Sequence, residues 1–153
     1  MNDQETADRV GAAMTEHDRA IRDAGIRLVD IGPGRARTAL TVTAAHVNGH
    51  GIAHGGYLFF LADAAFSFAC NSHGVSTVAA GGDIAFLRAA RLGDELVAEA
   101  RETALSGRSG IYDVTVTASR VGSAGSPSSG AEVVAEFRGR SRAVPNLPPP
   151  YAV

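Results

Sequence analysis

The chain has 153 residues, 45% hydrophobic and 20% charged, with a formal net charge of −2. That length suits one domain with a substantial core and is short for two. The balanced charge gives no electrostatic reason to expect nucleic acid as a partner. With one cysteine, Cys70, no disulfide framework is available, and a thiol in an apolar stretch reads as a small buried hydrophobe.

The first residues, MNDQETADRV, are polar and lack the apolar stretch of a secretory signal. Val10, Met14, His17, Ile21 and Ala24 then recur at steps of four and three, which predicts an N-terminal amphipathic helix from Glu5 to Ala24, stopped by Gly25. Two extended segments follow, Ile26 to Ile31 and Arg35 to Thr43, divided by the turn signal Gly32-Pro33-Gly34. A glycine- and histidine-rich loop, Val47 to Gly56, leads into a stretch from Tyr57 to Ala69 that is apolar on nearly every side, the mark of a buried helix. Asn71 and Ser72 help to end it, and Gly74 stands where a helix-terminating glycine belongs.

Strand patterns occupy the rest: Thr77 to Leu87, Glu95 to Leu105, Gly110 to Arg120 and Ala131 to Arg142. GSAGSPSSG, from Gly122 to Gly130, reads as a flexible loop, and residues 143–153 as a loose, proline-rich tail. No repeat or linker divides residues 1–153, so a single domain is expected. The longest apolar run, Tyr57 to Cys70, is interrupted by Asp63 and falls short of the roughly 20 residues that span a bilayer, so no membrane is expected and the protein reads as cytoplasmic. An all-apolar helix needs apolar cover on every side. A curved antiparallel sheet wrapped around it, completed by a partner subunit, gives an α+β fold.

Asp63 is the most informative residue, because every near neighbour in LFFLADAAFSF is apolar. Burying a carboxylate without partners costs several kcal/mol, on the order of a whole buried contact or more. Two readings fit: a structural aspartate bonded to backbone or serine, or a catalytic acid in a dry pocket. Ser67 lies one turn later on the same face. His54-Gly55-Gly56 sits at the start of the same helix, where free N–H groups and the positive end of the dipole meet, so the Gly55 amide suits a developing oxyanion. Gly55 and Asp63 are eight residues apart, roughly 12 Å along a helix, too far to act together on one carbonyl. If both act, they come from two chains, and the active site lies at a dimer interface.

NGHGIAHGG (Asn48 to Gly56), LADAAFSFACNSHG (Leu61 to Gly74), FLRAARLGDEL (Phe86 to Leu96) and GRSGIYDV (Gly107 to Val114) together resemble the phenylacetate-degradation thioesterases, over roughly Ile26 to Arg142, most of the chain. These are hotdog-fold enzymes that hydrolyse aromatic and related acyl-CoA thioesters. The resemblance implies Asp63 as nucleophile or general base, the Gly55 amide polarising the thioester carbonyl, and His54 orienting the substrate. It also implies that Asn48 contacts the carboxylate or the attacking water and that Ser67 positions the acyl group or water. A homodimer with interface active sites, itself paired into a dimer of dimers, is implied too, with no cofactor beyond the coenzyme A of the substrate and no metal. His46, His50 and His73 lack the companions of a metal site. Gly56, Arg88, Arg91 and Arg108 are the positions expected to meet coenzyme A, guanidinium being suited to phosphate. Phe59, Phe60, Phe66 and Leu87 are candidates either for the acyl pocket or for the core. A hotdog enoyl or 3-hydroxyacyl thioester hydratase or dehydratase, and a non-catalytic acyl-CoA-binding module, are the competing readings.

Overall fold

The computed structural model of the protein describes residues 1–120 and 130–147. The expected Gly122 to Gly130 loop, apart from Gly130, and tail residues 148–153 lie outside them. The N-terminal helix is two helices, α1 (Asp3–His17) and α2 (Arg19–Asp23). Asn2 and Glu5 close a capping box at the start of α1. The break comes at Asp18, which leaves helical geometry and accepts the Ile21 N–H on its carboxylate, capping α2. An acceptor side chain inside a periodic run was therefore a boundary rather than a polar-face residue. Val10, Met14 and Ile21 are buried as the periodicity predicts, whereas His17 is exposed and bonds back to the Ala13 carbonyl.

The strands are β1 (Arg27–Gly32), β2 (Arg35–Thr41), β3 (Thr77–Phe86), β4 (Glu95–Ser106), β5 (Ser109–Ser119) and β6 (Glu132–Ala143), each end within one residue of its prediction except that β2 stops two residues short, at Thr41, ahead of a 3-10 turn, Ala44–His46. They form one antiparallel sheet in the order β1-β2-β4-β5-β6-β3, so β3 is an edge strand. The long helix α3 (Gly55–Asn71) starts two residues before the apolar run, on its two glycines, and ends two residues beyond it. Gly74 takes a left-handed φ of 79° just past the helix, as its position predicted.

Leu58, Leu61, Ala62, Ala65, Phe66 and Ala69 of α3 pack onto the inward residues of the sheet, among them Leu40, Leu96, Ala98, Val114, Val116 and Val134. Alternate residues of β4 and β5 face that core, and the others carry the charge. On the outer face Arg138 holds Asp113, Arg140 holds Asp83, and Arg35 and Arg37 hold Asp30. Burial around α3 is incomplete near its start, where Gly56 and Phe59 reach the surface. No helix among the described residues is long and apolar enough to cross a membrane.

Candidate active site

The loop before α3 is built around two side chains. Buried His46 accepts the Thr43 N–H on Nδ1 (2.9 Å), bonds the Ala24 carbonyl through Nε2 (2.8 Å) and meets the Tyr57 ring edge-on. Its own carbonyl accepts the His54 N–H at 2.9 Å, so the end of α2 and the start of α3 are fixed to one strut. The Asn48 amide oxygen accepts the N–H groups of His50 (2.9 Å) and Ile52 (3.2 Å), folding the loop back on itself. Within one chain Asn48 therefore serves the loop, and its Nδ2 has no hydrogen bond among the described residues.

His54 is the N-cap of α3 and makes no capping bond with its side chain. The N–H groups of Gly55 and Gly56 have no backbone acceptor among the described residues. A helix tip with two free donors is a ready site for an oxyanion. Space there is tight: a Cβ on Gly55 would stand 2.7 Å from Cζ of Phe86, the last residue of β3.

Asp63 sits two turns further along α3, half-buried, with no hydrogen bond or ion pair among the described residues. Burial raises its pKa above the ordinary aspartate value, and the charge of Asp18 adds to the effect. It opens into a cavity of about 280 Å³. Phe66, Ser67, Cys70 and Asn71 of α3 line one side, and Ser76, Thr77, Val78 and Ala79 the other, with Leu147 beyond them. Ser67 thus shares the cavity with Asp63 as its spacing predicted, but no hydrogen bond joins them, and the structural-aspartate reading loses its partner. A larger depression, about 420 Å³, lies among ion-paired Asp30, Arg35, Arg37, Glu99 and Arg101 on the outer sheet face and shares no residue with this cavity.

Three lining residues, Asn71, Ser76 and Leu147, reach the cavity in ways that sequence patterns do not expose. Asn71, expected only to end the helix, accepts the Thr77 N–H on Oδ1 (2.9 Å) and donates from Nδ2 to the Thr77 carbonyl (3.0 Å) and the Ser67 carbonyl (3.0 Å). It thereby pairs with the first residue of β3 as a neighbouring strand would. Cys70 is a buried thiol whose pKa burial, and then the charge of Asp63, push up to about 12, so it is a neutral wall residue, as read. Ser76 and Leu147 lie in segments whose sequence gave no reason to place them here.

The three arginines do not form one cluster within a chain. Arg88 and Arg91 follow β3, Arg88 donating to the Val133 carbonyl, whereas Arg108 is in the β4–β5 turn, where its carbonyl accepts the Ala143 N–H. Val133 and Ala143 lie near opposite ends of β6, so the two sites are roughly 30 Å apart. Among the described residues no group of three or more His, Cys, Asp or Glu side chains is placed to hold a metal ion.

Residues 50–123 match the thioesterase superfamily. Over 132 residues the chain is 38% identical to the acyl-coenzyme A thioesterase PaaI of Escherichia coli, covering 86% of this chain and 87% of that protein. The solved structure of the E. coli PaaI protein from the phenylacetic acid degradation operon matches with a TM-score of 0.83 at 36% identity, covering 94% of this chain and 96% of that one. A Streptococcus mutans protein solved bound to acetyl CoA matches with a TM-score of 0.67 at 25% identity, covering 78% of this chain and 89% of that one. The sheet wrapped around α3 is the hotdog fold of these enzymes, and the chain belongs to the thioesterase superfamily.

Proposed function

We propose that this acyl-CoA thioesterase acts on aromatic acyl groups of the phenylacetyl or hydroxyphenylacetyl type, with Asp63 as general base. The observation that carries the reading is a half-buried carboxylate with no hydrogen-bond or ion-pair partner among the described residues, opening into a cavity with apolar walls. Its raised pKa makes it a better proton acceptor than an exposed aspartate. The free hydroxyl of Ser67 beside it offers a water molecule a second contact. That water attacks the thioester carbon and gives its proton to Asp63. The tetrahedral oxyanion is held by the N–H of Gly55, with Gly56 beside it. Collapse expels the coenzyme A thiolate, which takes the proton back from Asp63. The name and operon of the E. coli relative support the aromatic acyl group.

The donor and the base come from two chains in this reading. β3 is an unpaired edge, and it runs antiparallel to α3: Phe86 lies against Gly55, while Val78 and Ala79 face Asp63 across the cavity. If a second copy adds its own β3 antiparallel, about a twofold axis near Gly81 and Gly82, residue 86 of each strand falls beside the start of the other. Each helix tip then approaches the other chain's Asp63, and the turn carrying Arg108 approaches the other chain's Arg88 and Arg91. His54 and Asn48, both on the loop at the helix tip, face the same junction, which suits them to orient the thioester and the water. A dimer of such dimers, a single catalytic domain, and no cofactor complete the proposal. Unpaired Cys70 fits a reducing cytoplasm.

The test is thiol release and free-acid formation over acetyl-, crotonyl-, phenylacetyl- and hydroxyphenylacetyl-CoA. Highest kcat/KM on the aromatic thioesters supports the reading, and water addition to crotonyl-CoA without thiol release overturns it in favour of a hydratase. Single-turnover hydrolysis in ¹⁸O-water should label the first acid formed. Label found on Asp63 instead would make it a nucleophile.

A further inference from the structure

We infer that Leu147 sets the size of the acyl group that the Asp63 cavity accepts; the inference rests on that cavity being the acyl site. Every other lining residue belongs to α3 or to the segment from Ser76 to Ala79. Those two walls are tied to each other by the Asn71–Thr77 clamp and to the core through Phe66, which restrains both. Among the described lining residues, Leu147 alone comes from the chain after β6. Its turn is closed by the Leu147 N–H on the Val144 carbonyl (2.8 Å) and hung on the cavity rim by the Val144 N–H on the Ser76 carbonyl (2.8 Å).

Leu147 is 46% exposed and outside the buried core, so it is an apolar wall whose replacement leaves the packing of the sheet on α3 intact. The rest of the cavity is apolar at Phe66, Cys70, Val78 and Ala79. An acyl group entering past Asp63 therefore meets restrained walls on two sides and one adjustable apolar side chain on the third. A methylene gained or lost in such a pocket changes selectivity by about tenfold or more.

The experiment uses carba analogues of acetyl-, phenylacetyl- and naphthylacetyl-CoA, in which a CH₂ replaces the thioester sulfur and hydrolysis is impossible. Calorimetry gives their Kd for the unsubstituted protein, Leu147→Ala and Leu147→Trp. Leu147→Ala should favour naphthylacetyl over acetyl by about tenfold relative to the parent, and Leu147→Trp should reverse that shift, with acetyl affinity unchanged in both. Should Leu147→Trp not fold, the Leu147→Ala ratio decides alone. Unchanged ratios, an equal weakening of all three analogues, or no binding to the parent would overturn the inference. Thiol release by the parent, measured alongside, separates the two ideas: size-dependent binding without turnover sinks the thioesterase reading of the site, and turnover with unchanged ratios sinks only the role of Leu147.

Discussion

Replacing Asp63 with asparagine removes one charge and almost no volume, and its effects on rate and on stability should point in opposite directions. General-base catalysis is worth about 10²- to 10⁴-fold, or about 2.7–5.5 kcal/mol at 1.36 kcal/mol per decade, so kcat on the best acyl-CoA should fall by that factor. The fold loses nothing, because the carboxylate holds no hydrogen bond or ion pair among the described residues. It is rid instead of an ionised group that burial and Asp18 both disfavour. Relief of an unsatisfied, half-buried charge is worth on the order of 1–2 kcal/mol, which for a chain of this size raises the melting temperature by about 2–4 °C per kcal/mol. The pH dependence follows from the direction of the shift. The folded state binds the Asp63 proton more tightly than the unfolded chain does, so parent stability falls as pH rises from the ordinary aspartate value, about 3.9, to the raised folded value, and is level above it. The gain from Asp63→Asn should therefore be full at neutral pH and vanish as pH drops below about 4. Thiol-release kinetics and thermal melts from pH 3.5 to 8 measure both. An unchanged kcat would refute the mechanism. A variant less stable than the parent at neutral pH would show that Asp63 has a structural partner.

Three further outcomes follow from the site. Gly55→Ala puts a methyl 2.7 Å from Phe86 Cζ, but that ring is half-exposed and can swing aside; stability should change by about 0.5 kcal/mol or less, while kcat/KM falls by about 10²-fold or more as the methyl crowds the approach to the helix N–H, measured by melts and thiol release. Asn71→Ala removes three hydrogen bonds and frees the start of β3, costing about 2–4 kcal/mol in denaturant titration and raising KM before it lowers kcat. Co-folding equal amounts of Asp63→Asn and Gly55→Ala chains should restore about a quarter of parent activity, because half the dimers are mixed and each mixed dimer holds one intact site; no recovery would place donor and base in the same chain.

The parts of this protein that sequence reveals are those where one residue's environment is set by its neighbours along the chain. The periodicity of Val10 and Met14 and the alternation in β6 reflect local burial, and the turn at Gly32-Pro33-Gly34 reflects local backbone freedom; the turn and β6 stand where predicted, and the helix does up to its break at Asp18. Asp63 was conspicuous for the same reason: a charge among apolar neighbours needs no tertiary information to be noticed. The break at Asp18 escaped because an aspartate suits the wet face of a helix as well as an N-cap. Asn71, Ser76 and Leu147 escaped because what brings them to the cavity is long-range pairing, Thr77 with Ala143 and Val144 with Ser76, which no local pattern encodes. The arginines were grouped by type, and strand direction then separated Arg108 from Arg88 and Arg91.

Several features of the lone chain gather along one strand, β3. Among the described residues the N–H groups of Gly55 and Gly56 have no backbone acceptor, Asp63 has no hydrogen-bond or ion-pair partner, β3 has a strand on one side only, and Phe86, Leu87 and Val78 expose apolar surface there. Each costs stability, and unconnected defects would be removed singly by substitution with little loss. A second copy pairing along β3 covers the edge and the exposed side chains together. In the proposed dimer the donors of one chain and the carboxylate of the other would face each other across the boundary. A thioester suits that junction, with a carbonyl oxygen for the helix-tip donors and an adjacent electrophilic carbon for a water activated by the carboxylate.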